Sequence, residues 1–283
     1  MRYNCKGEVS CGVYCRTGFV CYQGGEEMLA KHVATLMIVL GVGASSCCAT
    51  LGDVLGSFRA PGTSVRGMAR SGTRLHVLVF GNPTRIYRIS PTTGSVYGSW
   101  ALSCGENCRG LAFSEGGHLW IGNYGNDCVY DCAATTGSVY RSWSAGHDPF
   151  GLAAYCTADG GVGTTAILSS AYAPSKCWRH AKADGRVLSS FALWRASYFD
   201  IAWDHRNRLV WMGFSPNVVY GYDLSGSVVA SFKVPGTYPY GMAYYGECLW
   251  VGCDGNDYIY RVRCPGNIGV APTSIGRIKA LHR

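Results

Sequence analysis

Short apolar runs recur along the chain, separated by clusters of Gly, Asn, Asp and Ser. One kind opens with a small residue, an aliphatic residue and an alanine. It reads Gly67-Met68-Ala69, Gly110-Leu111-Ala112, Gly151-Leu152-Ala153, Asp200-Ile201-Ala202 and Gly241-Met242-Ala243, at spacings of 43, 41, 49 and 41 residues. A second kind starts at a glycine turn and ends in Ser plus an aromatic. It runs from Gly94-Ser95-Val96 to Ser99-Trp100 and from Gly137-Ser138-Val139 to Ser142-Trp143. It returns from Gly185-Arg186-Val187 to Ser190-Phe191 and from Gly226-Ser227-Val228 to Ser231-Phe232. Between them lie runs such as Leu119-Trp120-Ile121-Gly122 with Val129-Tyr130, and Leu249-Trp250-Val251-Gly252 with Ile259-Tyr260. Runs this short, bounded by turn residues, predict β-strands.

Four short strands repeated every 40 or so residues predict a propeller blade. We label the strands a (small-aliphatic-Ala), b (Leu-Trp), c (Ile-Tyr) and d (Ser-aromatic). The expected fold is all-β, a five-bladed β-propeller of four-stranded antiparallel blades over residues 50–264. Small residues opening strand a suit a crowded central channel, and the Trp and Tyr of strands b and c read as wedges between blade faces. The fifth copy ends at Cys264-Pro265 without a strand d. Gly52-Asp53-Val54-Leu55-Gly56-Ser57-Phe58 matches the missing element, and Pro61-Gly62-Thr63 repeats the spacing of Pro235-Gly236-Thr237 before the next strand a. The mature N-terminal strand is therefore expected to close the ring and remove two open sheet edges.

In the style of its repeat the chain resembles secreted propellers of the NHL and YVTN types, including those related to streptogramin lyase. The resemblance covers residues 52–264 and rests on the strand motifs above. Such relatives often have six or seven blades, whereas five copies are counted here. No residue matches a catalytic position of those families, so none is carried over.

Fifteen cysteines exceed what a reduced cytosolic chain carries without a metal pattern. No CxxC pair occurs, and the CxxxC spacings of Cys104 with Cys108 and Cys128 with Cys132 point first to structural disulfides. Cys248 and Cys264 flank a b–c hairpin and form the first expected pair. Links among Cys104, Cys108, Cys128 and Cys132 come next, then Cys156 with Cys177. Nine cysteines from Cys104 onward leave one over.

Residues 36–43 (LMIVLGVG) form an apolar run too short to span a bilayer, after Lys31 and His32 and before small residues. That order is a secretory signal peptide over 28–49, cleaved after Ala49, with lipoprotein cleavage before Cys47 as the alternative. Residues 1–27 read as a spurious upstream extension ahead of a start at Met28. Peptides from 1–27 in the native precursor would overturn that reading. The expected location is outside the cytoplasm. The tail 265–283 leaves the repeat and carries a short basic stretch. The net charge of +8 is scattered, without the clustered stripe a nucleic acid requires. No nucleic-acid partner, cofactor, metal or transmembrane span is implied, and a monomer is expected.

In a propeller the d–a and b–c loops share one face, where ligands usually sit. The polar residues placed there include Arg66, Glu106, Arg109, His147, Asp148, Asp200 and Tyr240. Arg66 and Arg109 stand just before strand a and suit either an anion or loop packing. His147-Asp148 suggests a general base, although adjacent side chains on an extended loop point apart. Gly125-Asn126-Asp127 and Gly255-Asn256-Asp257 read first as turn chemistry. Asp200 departs from the repeat by replacing its glycine, and a carboxylate near the axis must be paired or solvated. No hydrolase, phosphate-loop or dinucleotide signature occurs. The leading expectation is a binding or scaffold module for a small molecule, glycan or protein. The alternative is a lyase- or cyclotransferase-type propeller enzyme at the channel mouth, and a lectin with equivalent sites is disfavoured by loops that differ between blades.

Overall fold

The computed structural model describes residues 50–194 and 199–264. The expected extension (1–27), leader (28–49) and tail (265–283) lie outside the described residues.

The strand β1 (Val54–Arg59) comes first in the chain but belongs to the last blade. Blade one is β2 (Val65–Ser71), β3 (Arg74–Val79), β4 (Arg85–Ile89) and β5 (Val96–Ala101). Blade two is β6 (Cys108–Ser114), β7 (His118–Asn123), β8 (Cys128–Ala133) and β9 (Val139–Ser144). Blade three is β10 (Gly151–Tyr155), β11 (Ala166–Ala171), β12 (Lys176–Ala181) and β13 (Val187–Ala192). Blade four is β14 (Ile201–Asp204), β15 (Leu209–Phe214), β16 (Val218–Tyr222) and β17 (Val228–Lys233). Blade five is β18 (Pro239–Tyr245), β19 (Cys248–Cys253) and β20 (Tyr258–Arg263), with β1 as its outer strand. Each blade is a four-stranded antiparallel sheet, and the five form a five-bladed β-propeller. Strands β2, β6, β10, β14 and β18 touch in sequence around the axis, and β18 returns to β2.

The closing strand repeats the fine geometry of the other outer strands. Every c–d pair carries a register shift at the same place: Arg88/Ile89, Asp131/Cys132, Arg179/His180 and Gly221/Tyr222. The β1–β20 pair shifts likewise between Val54 and Gly56. A bulge twists a strand locally and makes it a poor template for pairing with a foreign edge, which suits the outer rim of a propeller.

The Gly and the Ser-aromatic ends of the second repeat element meet across blades. A Cβ on Gly137 would strike the Trp100 ring of the preceding blade, and one on Gly185 would strike Trp143. Gly94 stands equally close to Phe58, and Gly52 to Phe232. Gly52 and Gly137 also have φ of 92° and 75°, which side chains rarely adopt. The N-terminal segment thus gives Phe58 to blade one and receives Phe232 from blade four, completing the ring of contacts.

The strand-b tryptophans are wedges, as their motif position implies: Trp120 and Trp211 are fully buried, and the Trp250 indole donates to the Pro91 carbonyl at 2.9 Å. Blade one puts His76 at this position, buried and stacked on Phe113 at 5.8 Å. Burial, then the charge of Arg88, lowers the His76 pKa to about 4. The unfolded chain binds this proton near pH 6.5. The neutral imidazole therefore stabilises the fold above pH 6.5, and that contribution is lost as pH falls from about 6.5 towards about 4. His76 alone should remove roughly 3 kcal/mol over this window. Urea unfolding at pH 7 and pH 4.5 checks it, with a shallower acid loss expected in His76→Phe.

The expected disulfides are not formed: all nine described cysteines are free thiols. Cys248 pairs with Arg263, so Cys264 falls on the other face of the sheet, and the two join different core clusters. Cys177 pairs with Ser170, itself opposite Gly151 at the start of β10, whereas Cys156 follows the end of β10. Cys108 and Cys128 flank Asn123 on opposite sides, roughly 9–10 Å apart by strand spacing and too far to bridge. Cys104 and Cys108 come nearest, with sulfurs 3.5 Å apart, in the same core cluster as Cys132. Hydrogen bonds from Cys108 and Cys132 lower the Cys104 pKa to about 4, and the other two thiols rise.

Candidate functional site

The glycines opening strand a set how closely the blades approach the axis. A Cβ on Gly110 would lie 2.6 Å from the Leu152 nitrogen, and one on Gly151 would lie 2.8 Å from the Phe199 carbonyl oxygen. Asp200 takes this position in blade four and is fully buried. Its carboxylate accepts the backbone N–H groups of Met68 (2.9 Å), Leu152 (3.1 Å) and Met242 (3.2 Å), from blades one, three and five. Burial pushes its pKa well above the usual carboxylate range, and these amide bonds oppose that shift. Asp200 is thus a tie across the axis, joined to backbone.

The other sequence-selected residues stand at the d–a/b–c face; Arg66 and Tyr240 meet each other there, and the rest engage separate partners. Arg66 pairs with Asp254 at 3.4 Å and lies over the Tyr240 ring at 4.1 Å. Arg109 lies over Tyr124 at 4.7 Å and Phe150 at 5.1 Å. Glu106 is exposed, and its carbonyl accepts the Thr84 hydroxyl at 2.8 Å. His147 is buried, stacked on Trp178 at 3.8 Å, with Nε2 2.9 Å from the Ser169 hydroxyl. Ser169 is in turn 2.9 Å from His180 Nε2, and His180 Nδ1 donates to the Gly185 carbonyl at 2.8 Å. That last bond leaves His180 Nε2 to accept from the Ser169 hydroxyl. Burial, then His180, lowers the His147 pKa to about 4, well below that of a general base at neutral pH. Asp148 does not orient this ring; burial and a hydrogen bond with Asp127 raise its pKa. Asp127 and Asp257 have φ of 56° and 57°, and the neighbouring Asn126 and Asn256 amides donate to Tyr130 and Tyr260 at 2.7 Å. Turn chemistry accounts for both motifs.

A small cavity of about 50 Å³ opens at the other end of the axis, on the a–b face. The aliphatic and alanine positions of all five strand-a motifs line it, with Arg70, Asp159, Trp203, His205 and Tyr244 among its remaining walls. The repeat contained half of this site, in Ala69, Ala112, Ala153, Ala202 and Ala243. The rest comes from a–b turns, whose local sequences carry no motif. The 49-residue spacing was the available signal. It reflects a long a–b connection in blade three, residues 156–165, where residues 72–73 suffice in blade one. This loop reaches blade five through the Gly246 N–H donating to Asp159 at 2.9 Å, and blade two through Gly163 N–H donating to Glu115 at 2.9 Å. Asp159 also faces His205 at 3.6 Å and Arg206 at 3.8 Å.

No helix among the described residues is long and apolar enough to cross a membrane. No family model and no curated protein matches the chain. Among solved structures it is similar to a glutaminyl cyclase from Myxococcus xanthus, at 12% identity and a TM-score of 0.60, over 75% of this chain and 95% of that one. The Cps50 (Swd1) propeller domain of Myceliophteria thermophila aligns at 9% identity and a TM-score of 0.49, over 76% of this chain and all of its own. At such identity the likeness to the cyclase establishes shared β-propeller architecture, and the fold alone.

Proposed function

We propose that this protein is an extracytoplasmic binding and scaffold propeller that recognises a partner with its d–a/b–c loop face. One observation carries the reading: an arc of exposed aromatic side chains on that face. Phe80, Tyr172, Trp194, Tyr238 and Tyr258 are 36–54% exposed and stand at b–c or d–a connections of several blades. Aromatic rings give large contact area at small entropic cost and dominate many recognition surfaces. Arg66, lying on Tyr240 beside Asp254, adds a polar anchor at the same face. Aromatic planes with flanking polar groups fit a sugar ring or a protein surface.

The engagement of Asp200 by three amides, and of His147 by Ser169 and Trp178, supports a role without chemistry for these residues. Glycan and protein arrays probed with the secreted protein test the proposal. Hits should weaken at least tenfold in a Trp194→Ala/Tyr258→Ala variant. Hits unchanged in that variant, or no hits, would remove the loop face from consideration. N-terminal sequencing of the exported chain should place its start at Thr50.

A second reading is a cyclotransferase-type enzyme. Its support is the fold shared with the Myxococcus xanthus glutaminyl cyclase. A glutaminyl-peptide cyclisation assay decides it, and an inactive wild-type protein retires it.

A further inference from the structure

Cys104 lies between two other thiols. Its sulfur is 3.5 Å from that of Cys108 and also accepts from the Cys132 thiol. The three come from different places in blade two: Cys104 from the d–a loop ahead of it, Cys108 from the start of β6 and Cys132 from β8. All three join the apolar cluster that holds Leu102, Leu111 and Leu119. Cys104 is 7% exposed, whereas Cys108 and Cys132 are closed to solvent. A small solute therefore meets Cys104 first. The two hydrogen bonds it accepts hold its thiol well below the usual range and favour the thiolate, the form that reacts.

The loop keeps this sulfur beside Cys108. Gly105, at a φ of 101°, turns the chain so that both cysteines enter the cluster. The Asn123 amide donates to the Cys104 carbonyl at 2.7 Å, and the Thr84 hydroxyl donates to the Glu106 carbonyl at 2.8 Å. A disulfide needs sulfurs about 2.05 Å apart, so the pair must close by about 1.5 Å. Cross-linking residues this near in sequence constrains the unfolded chain less than closing a long loop does. The pair therefore gains little as a structural staple. A reactive thiol next to a second thiol that can resolve it is the arrangement of a redox-sensitive site.

We propose that Cys104 is a site of reversible oxidation by hydrogen peroxide, with Cys108 as the thiol that closes the bond. The Cys104 sulfur attacks one peroxide oxygen and the O–O bond breaks. Cys104 becomes a sulfenic acid, and the departing hydroxide takes up the proton that Cys104 released, giving water. The Cys108 sulfur then displaces the sulfenic hydroxyl, which leaves with the Cys108 proton as a second water. Two thiols are oxidised by two electrons in all, and one peroxide is reduced to two waters. A dithiol reverses the bond by exchange.

Peptide mapping of the full-length protein tests this, after reduction, removal of the reductant and timed exposure to hydrogen peroxide. A Cys104–Cys108 bond should form at least tenfold faster than oxidation at Cys128, Cys156 or Cys248, the partly exposed thiols, and a dithiol should reverse it. In Cys104→Ser, Cys108 and Cys132 should stay reduced over the same time. In Cys108→Ser, Cys104 should be found as the sulfenic acid, trapped by dimedone, or bonded to Cys132. A Cys104 no more reactive than the partly exposed thiols, oxidation of Cys108 at an unchanged rate without Cys104, or a bond that a dithiol does not reverse would overturn the proposal. If the variants fail to fold, the relative rates in the wild type decide.

Discussion

Deleting residues 50–60 is expected to destroy the cooperative unfolding transition and leave an aggregating chain. The segment supplies the whole outer strand of blade five. Five residue pairs join β1 to β20, and the Gly52 and Ala60 amides extend the contact by donating to Arg263 and Asp257 at 3.1 and 2.7 Å. Losing a ladder of this size costs about 5 kcal/mol in hydrogen bonds alone, at about 1 kcal/mol each. That rivals the total stability of many domains. The deletion also removes Phe58 from the core cluster it shares with blade one and uncovers Phe232 where Gly52 packs. What remains exposes β20 as a free edge, a template for pairing with another chain. Calorimetry and light scattering of the deleted protein check this. A melting transition like that of the full chain would mean that the ring does not depend on its closing strand.

Asp200→Ala is expected to be the most damaging single substitution in the channel. It leaves the Met68, Leu152 and Met242 amides buried without an acceptor. Each such group costs roughly 1–3 kcal/mol, so the loss is about 3–9 kcal/mol. The three amides belong to three different blades, so the damage is not local to blade four. Asp200→Asn keeps one acceptor oxygen and should fall between alanine and wild type. Urea midpoints of the three proteins give the order, and an alanine variant within 1 kcal/mol of wild type would refute the tie. The sequence singles out the same residue as a candidate site residue because it breaks a repeat and carries a charge. Its surroundings explain why that signal misleads. A carboxylate at the narrowest point of a ring of strands meets backbone donors before it can meet a ligand.

The placement of the other candidates divides along a similar line. Arg66, Glu106, Arg109, His147, Asp148 and Tyr240 stand at the loop face because strand order alone decides which connections emerge there. Whether they share a pocket depends on side-chain neighbours from other blades, and those neighbours are Asp254, Tyr124, Phe150 and Trp178. The cysteine pairings failed for a related reason. The symmetry of the hairpin turn predicts Cys248 opposite Cys264, but the register sets Cys248 opposite Arg263, and that one-residue offset puts the two cysteines on opposite faces of the sheet.

The number of blades, the order of strands and the closure by residues 52–58 could be read directly from the chain. Each blade is built from local antiparallel pairing, so a repeated motif of glycines and aromatics specifies both the strands and the contacts between successive blades. The partners of Asp200, the state of the thiols and the cavity at the a–b mouth could not. They arise where residues far apart in sequence converge on one axis, and only the closed ring brings those residues together. The N-terminal strand belongs to both accounts: its motif is visible in the sequence, and its bulge and its glycine–aromatic contacts show it acting as the fifth outer strand.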